Sequence, residues 1–302
     1  MKTKPSRAFS LVELSIIILI VGIIIAGVTE GSRLLKQMRL STARNLTTSS
    51  DIRSIENMVL WLDATSETSL TTDSSALVTA KSSGDLIYNW DDQNPQVLTS
   101  VKPRFSQATS GARPTYTENG INNIPTLFFD AADDATTGKS IATAAYQSIL
   151  NPATYTLFIV LRPVYNAADT TYIFKNQSGN YGFAFYRIAS SNKFAHDGYN
   201  GTASIASSDL TAFSYNTPYI SAIYTNGTTQ GIYRNGTLQD SDSVVHAPST
   251  STFIIGCLAS GVTNCFDGHI SEIIMFDRVL STEERGSVTK YLGKKYAIAV
   301  SS

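Results

Sequence analysis

Residues 219–239 read YISAIYTNGTTQGIYRNGTLQ. Three short runs rich in Ile, Tyr and Thr are separated by Asn226-Gly227 and Asn235-Gly236. Such side chains suit the pleated, half-buried surface of a sheet. Asn-Gly pairs supply the positive φ angles that tight hairpins need. The stretch predicts a three-stranded antiparallel meander.

The same pattern extends outward from it. Met58–Leu62, Thr126–Phe129, Thr154–Leu161, Gly182–Ile188, Phe253–Gly256 and Ile270–Phe276 are strand-length apolar runs bounded by turn residues. One segment differs. Ser281-Thr282-Glu283-Glu284 has the form of a capping box, and Val288, Tyr291, Leu292 and Tyr296 then recur on one helical face. Many short strands and one late helix predict a mainly β protein, with a sandwich over residues 51–302 and a short C-terminal helix.

The N-terminus follows another rule. Lys2, Lys4 and Arg7 precede an almost wholly apolar run from Phe9 to Val28. Twenty helical residues span about 30 Å, one bilayer core. The basic residues place the leader in the cytoplasm and the remainder outside. The helix is expected over residues 9–50, although the run Asn45–Ser50 breaks its pattern. Glu13 lies inside the apolar run, where a carboxylate is costly and wants a cationic partner. An α-amino group freed by cutting before Phe9 would lie at nearly the same depth. Gly22 with Ala26, and Gly27 with Gly31, are small residues four apart, a spacing that lets helices approach closely in lipid.

Charged residues make up only 16% of the 302 residues, and the formal net charge is −1, so the chain lacks a basic surface for nucleic acid. Cys257 and Cys265 are too far apart for a Cys-x-x-Cys pair. In an exported protein they are expected to close one loop as a disulfide.

The stretch Arg7-Ala8-Phe9-Ser10-Leu11-Val12-Glu13 resembles the cleavage and methylation motif of type IV prepilins and type II secretion pseudopilins. The resemblance implies a leader over residues 1–8, cut between Ala8 and Phe9 by a prepilin peptidase, with N-methylation of Phe9. It also implies that Glu13 docks the subunit against other pilin subunits. The precursor would sit in a bacterial inner membrane before joining a periplasmic or surface filament. Ala8 departs from the usual Gly, and no Pro interrupts Phe9–Asp51.

A second resemblance covers residues 55–298. Val59-Leu60-Trp61-Leu62-Asp63-Ala64, Asn89-Trp90-Asp91-Asp92, Arg113-Pro114-Thr115-Tyr116, Pro125–Asp130, Phe266–Ile273 and Phe276–Ser281 occur in the order found in concanavalin A-like (laminin G-like) jelly rolls. This implies two antiparallel sheets packed face to face. Together the resemblances lead to a pilin-like subunit, minor or tip given its large head, that displays a lectin-like domain for adhesion or glycan binding. A secretion pseudopilin, a major pilin and a surface glycan hydrolase are the alternatives.

Sequence signals for chemistry are sparse. No Glu-x-Asp-x-x-Glu pattern appears, and Glu272 stands alone on its strand with a structural role expected. His196-Asp197 and His269 read as loop or strand-end residues, and the three histidines form no zinc set. The chain is therefore expected not to be an enzyme and to need no cofactor. Asp130, Asp133 and Asp134 are candidate calcium ligands, with solvated turn residues the plainer reading. Tyr165, Tyr181, Tyr199 and Asn200 are the candidate sugar contacts.

Overall fold

The computed structural model describes residues 10–301, except 76–78, 80, 81, 132–137, 146, 166–169, 189 and 259–263. The leader, Ala8 and Phe9 lie outside the described residues, as do Asp133 and Asp134.

Helix α1 (Leu11–Ser49) starts on a capping box. Glu13 Oε2 accepts from the Ser10 backbone N–H at 2.9 Å, and Ser10 Oγ accepts from Val12 N at 3.3 Å. Glu13 thus has a partner within its own helix. The apolar stretch that follows is long enough to cross a membrane and is nowhere buried. A Cβ added at Gly22, Gly27 or Gly31 would meet nothing within 4 Å, so this small-residue stripe is open. The helix passes through the polar run that begins at Asn45. It continues to Ser49 because Thr47 is anchored in the head, a tertiary contact overriding weak local propensity.

The strands in chain order are β1 (Met58–Asp63), β2 (Leu70–Thr71), β3 (Asn89–Asp91), β4 (Arg104–Ser106), β5 (Thr115–Ile121), β6 (Ile124–Phe129), β7 (Ile141–Thr143) and β8 (Tyr155–Pro163). There follow β9 (Thr171–Lys175), β10 (Phe183–Ile188), β11 (Lys193–Tyr199), β12 (Ser204–Ser208), β13 (Tyr219–Thr225), β14 (Thr229–Arg234), β15 (Thr237–Ser243), β16 (Ile254–Ile255) and β17 (Gly268–Phe276). Helix α2 (Thr282–Tyr296) closes the domain, with Ser281 and Glu284 forming the capping box expected there.

One sheet runs β15-β14-β13-β8-β17-β6-β5, and β1 lies beside the second half of β17. The other runs β12-β11-β10-β9-β16-β7-β4-β3-β2. The meander over 219–239 is present as β13–β15. Asn235 and Gly236, at φ 50° and 87°, make the tight turn between β14 and β15. Asn226-Gly227 does not make a two-residue turn. Asn226 Oδ1 instead accepts from the Thr228 and Thr229 backbone N–H groups, at 2.9 and 2.7 Å, and closes a three-residue loop.

Alternation divides the core in two. On β8, Leu157, Ile159 and Leu161 face the second sheet, among Phe174, Phe183, Phe185, Phe194 and Phe253. Phe158 and Val160 face the opposite way, joining Trp61, Ile274, Val288, Tyr291, Leu292 and Tyr296 beneath α2. The outer face of the first sheet is thereby covered by α2 and the end of α1. One expectation fails here. His196 and Asp197 lie in mid-strand on β11, not in a loop, and His196 is fully buried between the sheets. His269 stands at the start of β17, the strand-end position expected of it, and is buried, with Nδ1 2.9 Å from Thr126 Oγ1.

Candidate functional site

Two polar assemblies stand out, one beneath α2 and one on the outer face of the second sheet. The first is buried. A register shift in β17 between Ile270 and Glu272 turns Ser271 and Glu272 together toward α2. Lys295 Nζ lies 2.8 Å from Asp63 Oδ2 and 2.7 Å from Glu272 Oε2, with both partners excluded from solvent. Glu272 also accepts from Trp61 Nε1 at 2.7 Å, Tyr291 OH at 2.9 Å and Tyr296 OH at 2.7 Å. Burial pushes the Glu272 carboxyl up, and Lys295 opposes that shift. Thr47 reaches in from α1, its Oγ1 2.8 Å from Lys295 Nζ. With every carboxylate oxygen bonded, this cluster is a satisfied internal network joining α1, β1, β17 and α2. It gives Glu272 the structural role expected of it.

The second assembly is accessible. On the second sheet, Phe183, Phe185 and Phe194 point inward, so their neighbours Ala184, Tyr186, Ala195 and Asp197 point outward. A bulge in β9 places Ile173 and Phe174 both in the core and brings Tyr172 opposite Tyr186. Two cross-strand rows result. Lys175, Ala184, Asp197 and Ala206 stand opposite one another across β9 to β12. Tyr172, Tyr186, Ala195 and Ser208 form the next row.

Ala184 and Ala195 are fully buried beneath the half-buried tyrosines, and Ala206 is exposed beside them. Tyr172 and Tyr186 have ring centroids 5.5 Å apart. Tyr186 donates its hydroxyl to Asp197 Oδ1 at 2.9 Å, and Tyr199 also bonds the Asp197 carboxylate. Burial raises the Asp197 carboxyl above the ordinary range, while the two phenols hold it down. The Tyr186 and Tyr199 phenols are pushed up, first by burial and then by Asp197. Lys175 Nζ sits 5.9 Å from the Tyr172 ring centroid. Tyr172, Tyr186 and Tyr199 are half-buried, leaving ring edges and faces for a ligand. Partly exposed aromatic rings beside fixed polar groups suit a ligand with both apolar and hydroxyl faces.

Of the aromatics marked in the sequence, Tyr199 belongs to this face. Tyr181 stands nearby, exposed, its ring 3.6 Å from where a Gly201 Cβ would lie. Asn200 closes the 200–203 turn by accepting from the Thr202 and Ala203 N–H groups, at 3.0 and 2.8 Å. Tyr165 lies elsewhere, paired with Tyr215 at 5.3 Å. Tyr172, Tyr186 and Asp197 were not singled out as ligand contacts from sequence. Their signal is the alternation of inward Phe with outward Tyr in FAFYR; in TYIFK the bulge at Ile173 interrupts it.

Cys257 and Cys265 form a disulfide, and a Cβ on Gly138 would come within 2.2 Å of Cys265 Sγ. Among the described residues no group of three or more His, Cys, Asp or Glu side chains could hold a metal ion. Asp130, the described member of the calcium set, accepts from Lys139 N through its carbonyl at 3.0 Å.

A family model described as the concanavalin A-like lectin/glucanases superfamily matches residues 134–284, half of the chain. The chain belongs to the concanavalin A-like lectin/glucanases superfamily. No curated protein matches it by sequence. Among solved structures it resembles a Trypanosoma rangeli sialidase in complex with sialic acid, at 12% identity and TM-score 0.51, over 81% of this chain and 34% of that one. It also resembles the botulinum neurotoxin type G receptor binding domain, at 13% identity and TM-score 0.53, over 78% of this chain and 52% of that one. A botulinum neurotoxin type C structure, whose cell entry depends on two ganglioside molecules, aligns at TM-score 0.51 and 13% identity, over 78% of this chain and 52% of that one. The chain thus spans about a third of the sialidase and half of each toxin chain. At these identities the likeness is one of fold.

One expectation is corrected by this comparison. The chain was expected not to be an enzyme because it lacks a paired-carboxylate strand pattern. Sialidases share its fold, so that missing pattern does not exclude turnover, and the expectation is withdrawn.

Proposed function

We propose that the chain is a membrane-anchored, pilin-like subunit whose head binds carbohydrate on the outer face of the second sheet. The observation that carries the binding half is the group of Tyr172, Tyr186 and Tyr199 around Asp197. The opposite face of the sandwich is covered by α2 and the end of α1, whereas here half-buried tyrosine rings reach the surface. Membership of the lectin/glucanase superfamily, and the sialic acid and gangliosides engaged by proteins of the same fold, favour a sugar.

The assembly half rests on α1. An exposed apolar helix of bilayer length, with Glu13 in its first turn and an open Gly22–Gly31 stripe, is suited to hold the precursor in an inner membrane and then pack against other subunits. On this reading a prepilin peptidase cuts between Ala8 and Phe9, Phe9 is methylated, and Glu13 exchanges its capping bond for a neighbour's amine. The mature head then lies outside the membrane on a filament.

The test of binding uses the full chain in a detergent without a sugar headgroup, applied to a glycan panel. Binding that falls about tenfold in Tyr172→Ala and persists in Tyr165→Ala supports the reading. Retention of every bound glycan by Tyr172→Ala refutes it. Mass spectrometry of the mature N-terminus tests cleavage, with a methylated Phe9 as the expected first residue.

A further inference from the structure

The most buried ion pair of the head is built on a lysine. The other ion pairs between described residues use Arg33, Arg44, Arg104, Arg234 and Arg278. A guanidinium suits such pairing, whereas a desolvated lysine amine is also a nucleophile. Lys295 Nζ faces two carboxylates in the dry site beneath α2, 2.8 Å from Asp63 Oδ2 and 2.7 Å from Glu272 Oε2. One cation between two anions leaves negative charge in excess where charge is costly. Joining the amine to one carboxyl removes a buried cation and a buried anion together.

The two carboxylates are not equivalent. Asp63 Oδ1 accepts from the Thr65 backbone N–H at 2.8 Å and from the Thr65 hydroxyl at 2.7 Å. These donors are fixed where negative charge develops on Oδ1 when a nucleophile adds to Cγ. Asp63 Oδ2, bonded to Lys295 and Thr47, is the oxygen left to depart. Glu272 stands directly opposite Asp63 across β1 and β17. Trp61, Tyr291 and Tyr296 hold its side chain, and burial raises its hold on a proton. It is thus placed to carry a proton between Nζ and Oδ2.

We propose that Lys295 and Asp63 condense spontaneously into an amide, with Glu272 as the catalytic proton carrier. Lys295 first passes a proton to Asp63 Oδ2, which gives a neutral amine and a neutral carboxyl. Nζ then attacks Cγ, and the carbonyl electron pair moves onto Oδ1 between the Thr65 donors. Glu272 Oε2 takes a second proton from Nζ and delivers it to Oδ2. The Cγ–Oδ2 bond breaks, the pair on Oδ1 re-forms the carbonyl, and Oδ2 departs as water. Of the three ammonium protons, two leave in that water and one stays on the amide, and Glu272 is returned unchanged. The ion-paired cluster is the state that precedes the reaction. Its product ties β1 to α2 through residues 232 apart, closing a covalent loop around nearly the whole head. A pull applied through α1 then reaches both ends of the head at once.

Peptide mapping of the full chain tests this, after denaturation, reduction and tryptic digestion. The account expects residues 54–81 joined to residues 295–302, lighter by one water than the two peptides together, with no cleavage after Lys295. Glu272→Gln keeps the size of the side chain but cannot relay the proton. The joined species should form at least about a hundredfold more slowly in that variant, with a native near-ultraviolet circular dichroism spectrum. Lys295→Arg keeps the cation and should yield only separate peptides. A folded native chain that gives only separate peptides overturns the proposal, and this result needs no variant to fold. A branch joining residues 295–302 to residues 235–278 puts the bond on Glu272 and overturns the assignment of Asp63. Equal rates in the native chain and a folded Glu272→Gln variant overturn the role of Glu272.

Discussion

Lys295→Met is the sharpest probe of how the head is held to the helix. Lys295 is the shared cation for Asp63 and Glu272, at 2.8 and 2.7 Å, and all three side chains are buried. Methionine keeps the aliphatic length but leaves two carboxylates in a dry site. Removing one partner of a buried ion pair costs about 3–5 kcal/mol, because the remaining charge keeps its desolvation penalty. For a domain of this size each kcal/mol moves the melting temperature by about 2–4 °C, so a drop of roughly 6–20 °C is expected. The assay is thermal and guanidinium unfolding of the full chain in detergent, followed by near-ultraviolet circular dichroism. The deficit should narrow on acidification, as the stranded carboxylates take up protons. A cost below about 1 kcal/mol at neutral pH would refute the view that this network, rather than the apolar packing around it, fastens α2 and α1 to the sheet. Thr47→Val should be milder, since Lys295 keeps both carboxylates, and its effect should appear as fraying of α1 near Ser49 in hydrogen exchange.

Other consequences are more local. Burial pushes the Asp92 carboxyl up to about 6, although Oδ1 accepts from Trp61 N and Asn94 N at 2.8 and 2.9 Å. A folded pKa above the unfolded one means ionisation costs stability as pH rises through 6. Asp92→Asn, which mimics the protonated form, should therefore stabilise the head by about 1–2 kcal/mol at pH 7, with the gain vanishing below about pH 4 in unfolding titrations. The imidazoles behave oppositely. Burial lowers His196 and His269 to about 3 and His246 to about 4, so the neutral rings contribute stability that is full above 6.5 and lost as pH falls toward those values. Imidazole carbon shifts in an NMR titration should stay those of neutral rings down to about pH 5. Reducing the Cys257–Cys265 bond, or replacing both residues with Ser, should cost about 2–3 kcal/mol by chain entropy, checked by denaturant midpoints with and without reductant.

What the sequence revealed and what it hid follow from range. Asn235-Gly236, the Ser281–Glu284 capping box and the apolar run after Ser10 are local signals, and the structure places a turn, α2 and α1 there. The turn between β5 and β6 is built by Asn122 and Asn123, at φ 48° and 62°, where Asn-Asn replaces the more familiar Asn-Gly. The Lys295 network escaped notice because its members lie 232 and 23 residues apart and meet only once the sandwich forms. The tyrosine face was partly visible. Tyr199 drew attention as an aromatic beside a turn, whereas Tyr172 needs the β9 bulge to stand opposite Tyr186. His196 and Asp197 looked like loop residues because KFAHDGY mixes polar and apolar side chains. In the sandwich that mixture sorts Phe194 and His196 inward and Asp197 and Tyr199 outward.

The most direct measurement is hydrogen–deuterium exchange on the full chain in detergent, with and without a saturating glycan from the panel. The account predicts slowed exchange in peptides covering β9 to β12, around Tyr172, Tyr186 and Asp197, and little change in α2 or β13–β15. Protection confined to the first sheet or to the α1–head junction, with β9 to β12 unaltered, would contradict it.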